Sequence, residues 1–326
     1  MPAPLAEHVN GQPAFTTIHD EILDRAGAQL RLYRLDHIPG ALNGNKAFKL
    51  MPAVTEALRN NAFGLASFGG AWSNHLHALA AAGRAYGLKT LGVVRGDAHA
   101  PPGAMLEDAG RWGMNLHFVS RSEYRQRRDP DFLAQLQARF PGYCWLPEGG
   151  SDLAGVQSCA ALGRALNNRL ETGEMIILPC GTGGTLAGLL AGMAGGASSV
   201  QVVGYSALKG AGFLEADIRQ WHAALEVTAA LPGWRIEQRF HGGGYGKCNS
   251  DLQAFIAGFY RRHGVALDPV YNGKMLWGVY RQLAAGELQG KRITALHTGG
   301  LQGLRGYPDL LAEMTQMGFE GLQQGF

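Results

Sequence analysis

At 326 residues the chain is long enough for two domains of ordinary size. With 46% hydrophobic and 17% charged residues it buries a core readily, which excludes long disorder, and a net charge of only +3 with scattered arginines excludes a strongly electrostatic nucleic-acid binder. No run approaches the ~20 apolar residues of a membrane span, and the opening MPAPLAEHVNGQPAF lacks the basic-then-apolar order of a secretory signal. Four separated cysteines (Cys144, Cys159, Cys180, Cys248) without a C-x-x-C pair argue against zinc or a disulfide framework and fit a reducing cytoplasm. Two counts stand out. Glycine is 48 residues, about twice the usual ~7%, and lysine only seven, two of them within four residues.

In chain order, Ala62–Phe68 reads as a strand and Asn74–Gly87 as a helix, with Leu76, Leu79, Ala80 and Ala82 on or near one face. Thr90–Val94 and Leu116–Ser120 are strands. The run Arg121–Arg128 is expected as a solvated loop. Pro130–Phe140 is a helix and Tyr143–Leu146 a short strand. In the second half, Leu153–Leu170 is helical, Met175–Pro179 a strand and Thr185–Met193 a helix. Val200–Tyr205, Arg235–Phe240 and Arg292–His297 are strands; Gly212–Leu225, Leu252–His263 and Gly273–Ala285 are helices. Branched apolar runs alternating with Ala/Leu-rich stretches point to an α/β protein with mostly parallel sheets. No linker separates domains, so two domains would be interleaved.

Five short motifs could carry chemistry. Gly44-Asn45-Lys46-Ala47-Phe48-Lys49 opens a helical stretch behind a glycine turn. A lysine that forms a Schiff base must be partly desolvated, and such a junction can do that; surface lysines are the alternative. Phe68-Gly69-Gly70-Ala71-Trp72-Ser73-Asn74-His75 joins a strand to a helix, with Ser73 or Asn74 as a plain cap or as part of an anion site. His75 and His77 face different ways on a helix, so no metal is expected. Gly181-Thr182-Gly183-Gly184-Thr185 also joins strand to helix and suits phosphate, though it is neither a Walker A loop nor a full dinucleotide fingerprint. Asp268-Pro269-Val270-Tyr271-Asn272-Gly273-Lys274 and His297-Thr298-Gly299-Gly300 read singly as turns. Tyr245, in a glycine-rich loop, is a pocket residue or a loop aromatic.

Taken together and in this order, the motifs resemble the D-cysteine desulfhydrase / 1-aminocyclopropane-1-carboxylate (ACC) deaminase family. The resemblance runs from about Leu32 to Gly306. It implies a pyridoxal-phosphate enzyme of fold type II, the tryptophan-synthase-β-like fold, with two interleaved open parallel-sheet domains. The expected division is 1–48 and 150–326 for a large cofactor-binding domain and 49–149 for a small one. The resemblance makes Lys46 the Schiff-base lysine and proton carrier, with Lys49 at the same site near substrate or cofactor charge. Ser73 would meet the reacting amino acid and Asn74 the pyridoxal 3-oxygen, with Trp72 and His75 beside the substrate. Gly181, Thr182, Gly183, Gly184 and Thr185 would hold the phosphate. Tyr271 would stack near the ring, Asn272 and Thr298 would lie where partners of the pyridine nitrogen are placed, and Tyr245 would stand near the substrate. A homodimer acting on a small amino acid is implied, without nucleic-acid or membrane partners.

The sequence departs from the family in four places. Phe48 replaces a frequent arginine, and Trp72 a frequent glutamine. Asn272 replaces the glutamate of ACC deaminases, and Thr298 their leucine. S-N-H with H-T-G-G fits the desulfhydrase branch better. The expected reaction is α,β-elimination giving keto acid, ammonia and sulfide; the alternatives are ACC ring opening and an untested substrate. A catalytically dead binding protein would have no need to keep Lys46. A nucleotide-binding oxidoreductase would need an acidic residue after Val200–Tyr205, where Ser206 stands.

Overall fold

The computed structural model describes residues 13–38, 42–97, 99, 102–196 and 199–320. The opening segment read for targeting therefore falls, through residue 12, outside the described residues. In chain order the elements are β1 (Phe15–Ile18), α1 (Glu21–Ala26), β2 (Gln29–Arg34), α2 (Asn45–Arg59), β3 (Gly64–Gly70), α3 (Asn74–Tyr86), β4 (Lys89–Arg95), α4 (Ala104–Arg111), β5 (Met114–Val119), α5 (Arg121–Arg125), α6 (Pro130–Arg139) and β6 (Tyr143–Trp145). There follow α7 (Leu153–Ser158), α8 (Ala160–Asn167), β7 (Met175–Cys180), α9 (Gly184–Met193), β8 (Gln201–Ser206), α10 (Leu214–Ala224), β9 (Gly233–Glu237), α11 (Ser250–His263), α12 (Asn272–Ala284), β10 (Arg292–His297) and α13 (Pro308–Gln316).

The strands form two sheets. The larger has the order β1-β2-β10-β7-β8-β9 and is parallel except for the β1–β2 pair; the smaller, β5-β4-β3-β6, is wholly parallel. Chain from both ends of the sequence meets in the larger sheet, where Leu32 pairs with Ala295 and Ala295 with Ile177. Helices cover both of its faces, so β7 reads as an unbroken apolar run rather than an alternating one. Ile177 and Met175 pack under α11 and α12, while Ile176 and Leu178 point to α8 and α9.

Helix α2 belongs to both halves. Ala47 and Phe48 join the core of the larger sheet; Leu50, Met51, Val54 and Ala57 join that of the smaller. Phe48, the departure from the family arginine, is thus a core residue, 3% exposed. Pro52 sits inside this helix and removes one backbone donor just after the chain passes from one core to the other.

Three differences from the sequence reading have physical causes. Arg121–Arg128 is not simply a loop: Arg121–Arg125 is a helical turn with a capping box, in which Ser120 and Glu123 satisfy each other's backbone amides, and Tyr124 is buried beneath it. The stretch read as one helix over 153–170 is two, divided at the buried Cys159; an apolar period survives so short an interruption. Phe15–Ile18, Gln29–Arg34 and Ala104–Arg111 were not read as elements: the first is only four residues long, the second carries a strand's alternation that was passed over, and Glu107, Asp108 and Gly110 weaken the apolar period of the third.

Candidate active site

Four of the five motifs singled out from sequence lie at the carboxyl end of a parallel strand or in the connection that follows it; the fifth, Asp268–Lys274, joins α11 to α12. β3 leads into Gly70–Asn74, β7 into Gly181–Gly183 and β10 into Thr298–Gly300; β2 leads by a longer connection to Gly44–Lys49. Open α/β sheets present their ligand crevice there. The two sheets face each other across a cleft of about 1710 Å³, whose lining includes Lys46, Lys49, Trp72, Ser73, Asn74, His75, Gly181, Thr182, Gly183, Thr185, Tyr245, Tyr271 and Thr298.

Lys46 and Lys49 occupy the first two turns of α2. The turn before them needs glycine: Gly44 has φ 68°, and a Cβ there would lie 2.2 Å from the carbonyl oxygen of Thr298. Lys46 Nζ donates to the Gly149 carbonyl at 3.1 Å, and Lys49 Nζ donates to the same oxygen at 3.2 Å. Among the described residues neither amine has a carboxylate partner. Burial, with the charge of Lys49 behind it, lowers Lys46 to about 7. An amine so lowered is available near neutrality as an uncharged nucleophile and base.

Lys49 is lowered as well, chiefly by burial, and sits at the other end of the cradle. Its Nζ donates to Ser151 Oγ at 2.6 Å and to Thr182 Oγ1 at 3.3 Å. The N-terminus of α9 opens beside it without a side-chain cap, and Gly183 holds φ 77°. Asn45 Nδ2 donates to Thr185 Oγ1 at 2.9 Å and ties the starts of α2 and α9 together. Open helix amides, hydroxyls and an ammonium group converging on one point form a donor set for a dianionic phosphate.

At the opposite wall, the carboxylate of Asp268 accepts from the amides of Val270, Tyr271 and Asn272 and from Asn272 Nδ2. This pins Tyr271 over Gly181, where a Cβ would come within 3.0 Å of its hydroxyl. Tyr245 meets Tyr271 edge-on at 6.1 Å. Asn272 departs from expectation. It is fully buried and stands behind the cleft wall, with Nδ2 donating to Asp268 and to Gly299 O and Oδ1 accepting from Thr298 N and Oγ1. Its hydrogen-bonding capacity is spent inside the protein, so it braces Thr298 rather than facing a cofactor; Thr298 itself lines the cleft.

Ser73 caps α3, its Oγ accepting from Leu76 N at 3.2 Å, and no base is hydrogen-bonded to it. Asn74 Oδ1 accepts from Gln302 Nε2. His75 lies below them, 3% exposed, with Nε2 on Ser67 Oγ at 2.8 Å and Nδ1 without a partner. Burial and the two lysines hold it well below the usual histidine range, so it is neutral. His77 points elsewhere, to Asp108. Trp72 sits at the rim, 40% exposed, its ring against Gly306 and Gly103.

A family described as pyridoxal-phosphate dependent enzyme matches residues 21–299. The chain belongs to that family. Pyridoxal phosphate is accordingly its cofactor, and the residues present fit it: a donor set suited to phosphate at α9 and an amine lowered to about 7 at Lys46 lie in one cleft with an aromatic wall. Similar proteins include the D-cysteine desulfhydrase of Yersinia pestis (strain Pestoides F), 27% identical over 87% of this chain and 90% of that one. The mitochondrial bifunctional D-cysteine desulfhydrase/1-aminocyclopropane-1-carboxylate deaminase of Arabidopsis thaliana is 27% identical over 88% of this chain and 76% of its own. A crystal structure titled as that of an ACC deaminase homologue superposes with a TM-score of 0.76 at 25% identity, covering 96% of this chain and all of the other. Among these pyridoxal-phosphate dependent enzymes the architecture is the expected fold type II.

Ser151, Gly149 and Glu148 were missed from sequence. Their signal was present: Pro147-Glu148-Gly149-Gly150-Ser151 follows a short strand just as Gly69–Ser73 does. Among the described residues no group of three or more His, Cys, Asp or Glu is placed to hold a metal ion, and no helix is long and apolar enough to cross a membrane.

Proposed function

We propose that the chain catalyses α,β-elimination on a small β-substituted amino acid, in the manner of a D-cysteine desulfhydrase, ahead of ACC ring opening. The observation that carries this is Lys46: an amine at about 7, held only by a backbone carbonyl. When bound, pyridoxal phosphate supplies the electron sink for a carbanion at the substrate α-carbon. Lys46, once its amine is free, removes the α-proton and can return it. Lys49, Thr182, Ser151 and the α9 amides hold the phosphate and so fix the distance from Lys46 to the reacting carbon. Thr298, braced by Asn272, presents a neutral hydroxyl at the far end of the cleft. Ser73 and the start of α3 orient the substrate carboxylate.

ACC has no α-proton, so its opening needs a nucleophile or a base at another carbon. Of the carboxylates lining the cleft, Asp268 accepts four N–H bonds, Glu148 is held by Tyr124 and Arg127, and Asp108 by His77, Arg111 and Arg305, while Asp217 stands in the first turn of α10. Ser73 lacks an adjacent base. A panel of D- and L-cysteine, β-chloroalanine and ACC, scored for keto acid and ammonia, tests the reading. Turnover of a β-substituted amino acid well above ACC is expected; the reverse order overturns it.

Ser73→Ala separates orientation from attack. Loss of the hydroxyl is expected to lower kcat/KM for D-cysteine about tenfold, the value of one hydrogen bond to a charged group. Any ACC activity should fall at least a further tenfold if the serine is the nucleophile there. Equal losses in steady-state kinetics would assign Ser73 to positioning alone.

A further inference from the structure

We infer that the substrate carries a second anionic group on its side chain, received by Arg95 on the smaller-sheet wall of the cleft. The inference deepens the proposed elimination and rests on it for the reacting end of the molecule. Arg95 is the last residue of β4, paired in register with Gly70, so it stands beside the turn that delivers Ser73. A Cβ built on Gly70 would lie 3.6 Å from an Arg95 Nη, which places the guanidinium over that turn. Among the described residues no carboxylate pairs with it. Its guanidinium also lies over the face of Tyr124, at 5.5 Å from the ring centroid.

The surrounding charges strengthen the case. Of the carboxylates on this wall, Glu148 is taken up by Arg127 at 2.7 Å and by the Tyr124 hydroxyl at 2.8 Å, and Asp108 by His77, Arg111 and Arg305. Arg121 and Arg128 line the same wall, and among the described residues neither has an ion-pair partner. Among the described residues this wall therefore sets Arg95, Arg121, Arg127 and Arg128 against two carboxylates, Glu148 and Asp108, both already paired. A neutral β-substituent such as a thiol gives this positive surface no counter-charge. An amino acid bearing a distal carboxylate, sulfonate or phosphate would supply one. The α-carboxylate is served by the Ser73 end and the cofactor phosphate by Lys49 and α9, so neither uses up Arg95. A guanidinium also offers the paired donors that an oxyanion accepts. For a sulfonate or phosphate at the β-carbon, elimination breaks the C–S or C–O bond, with the electron pair leaving on sulfite or phosphate. The α-proton goes to Lys46, and one water hydrolyses the released enamine to keto acid and ammonia.

The test uses the holoenzyme and ligands that cannot react. α-Methylaspartate and α-methylserine, each in both enantiomers, are titrated while the visible absorption of the cofactor is followed. The better aspartate enantiomer is expected to bind at least tenfold more tightly than the better serine enantiomer, with the ratio shrinking as salt is raised. Arg95→Gln should reduce the ratio to below threefold while leaving α-methylserine affinity within twofold, and Arg95→Lys should restore part of it. Equal or tighter binding of α-methylserine to the wild type overturns the inference, as does an equal loss for both ligands in Arg95→Gln. Cysteate and O-phosphoserine, run beside D-cysteine, carry the test to turnover. Turnover of D-cysteine without preferential binding of the anionic ligand leaves the elimination standing and removes this inference. Preferential binding without elimination of any substrate does the opposite.

Discussion

Replacing Lys46 by alanine is expected to abolish turnover, by at least about a thousandfold, because one side chain carries both covalent attachment and proton transfer. Borohydride treatment of the yellow wild-type protein should fix the cofactor on the peptide containing Lys46, and Lys46→Ala should show no reducible attachment. Stable attachment at another lysine in that variant would overturn the assignment; Lys49, the neighbouring amine, is the residue to inspect. The pH dependence has a definite sign. Burial and the charge of Lys49 place Lys46 at about 7, and only its neutral form attacks an aldehyde. Mixing apoprotein with pyridoxal phosphate should therefore give a colour-forming rate that rises about tenfold per pH unit below 7 and levels off above it. An ordinary lysine near 10.4 would keep accelerating to about pH 10. Stopped-flow absorbance distinguishes the two curves.

The parallel architecture was legible because both faces of each central strand are covered. Runs such as Met175–Cys180 are apolar throughout, and the glycine-rich turns after them mark strand ends. That Lys46, Ser73 and the Gly181–Thr185 turn would meet in one cleft was legible for a related reason. Close backbone approach and helix starts demand particular residue types in a fixed order, and that order survives in sequence. What sequence reading could not supply was the direction of side chains in three dimensions. Asn272 looks available in a D-P-V-Y-N string, yet its amide is closed off by Asp268 and by Thr298–Gly299, the latter 26 and 27 residues further on. Phe48 looks like a change at the active site because it lies two residues from Lys46, but the helical turn sends it into the opposite core. The charge run at Arg121–Arg128 looks solvated because charge carries no period. Only the burial of Tyr124 and the engagement of Arg127 by Glu148 show that it forms a wall of the cleft.

The second large effect is expected at Gly184, the first residue of α9. A Cβ there would lie 3.0 Å from Lys49 Nζ and 3.1 Å from Ser151 Oγ, inside the donor set read as the phosphate cradle. Alanine at this position can be met by a shift of the flexible lysine end. The branched side chain of valine adds two methyl groups in the same space, which displaces Lys49 and blocks approach to the α9 amides. Charge-assisted hydrogen bonds are worth about 1.5–3 kcal/mol each. Losing two of them, at about 1.4 kcal/mol per factor of ten, raises the dissociation constant for pyridoxal phosphate at least about a hundredfold. Gly184→Ala should lose no more than about tenfold, the equivalent of one such bond. The measurement is a titration of apoprotein with pyridoxal phosphate, followed by absorbance, set beside one with pyridoxal, which lacks the phosphate. Because the injury is to phosphate binding alone, Gly184→Val should bring the two ligands close to equal affinity, whereas the wild type separates them widely. Thermal unfolding of the apoproteins serves as the control for folding. A valine variant that binds pyridoxal phosphate as the wild type does, or that weakens both ligands alike, would place the phosphate somewhere other than the start of α9.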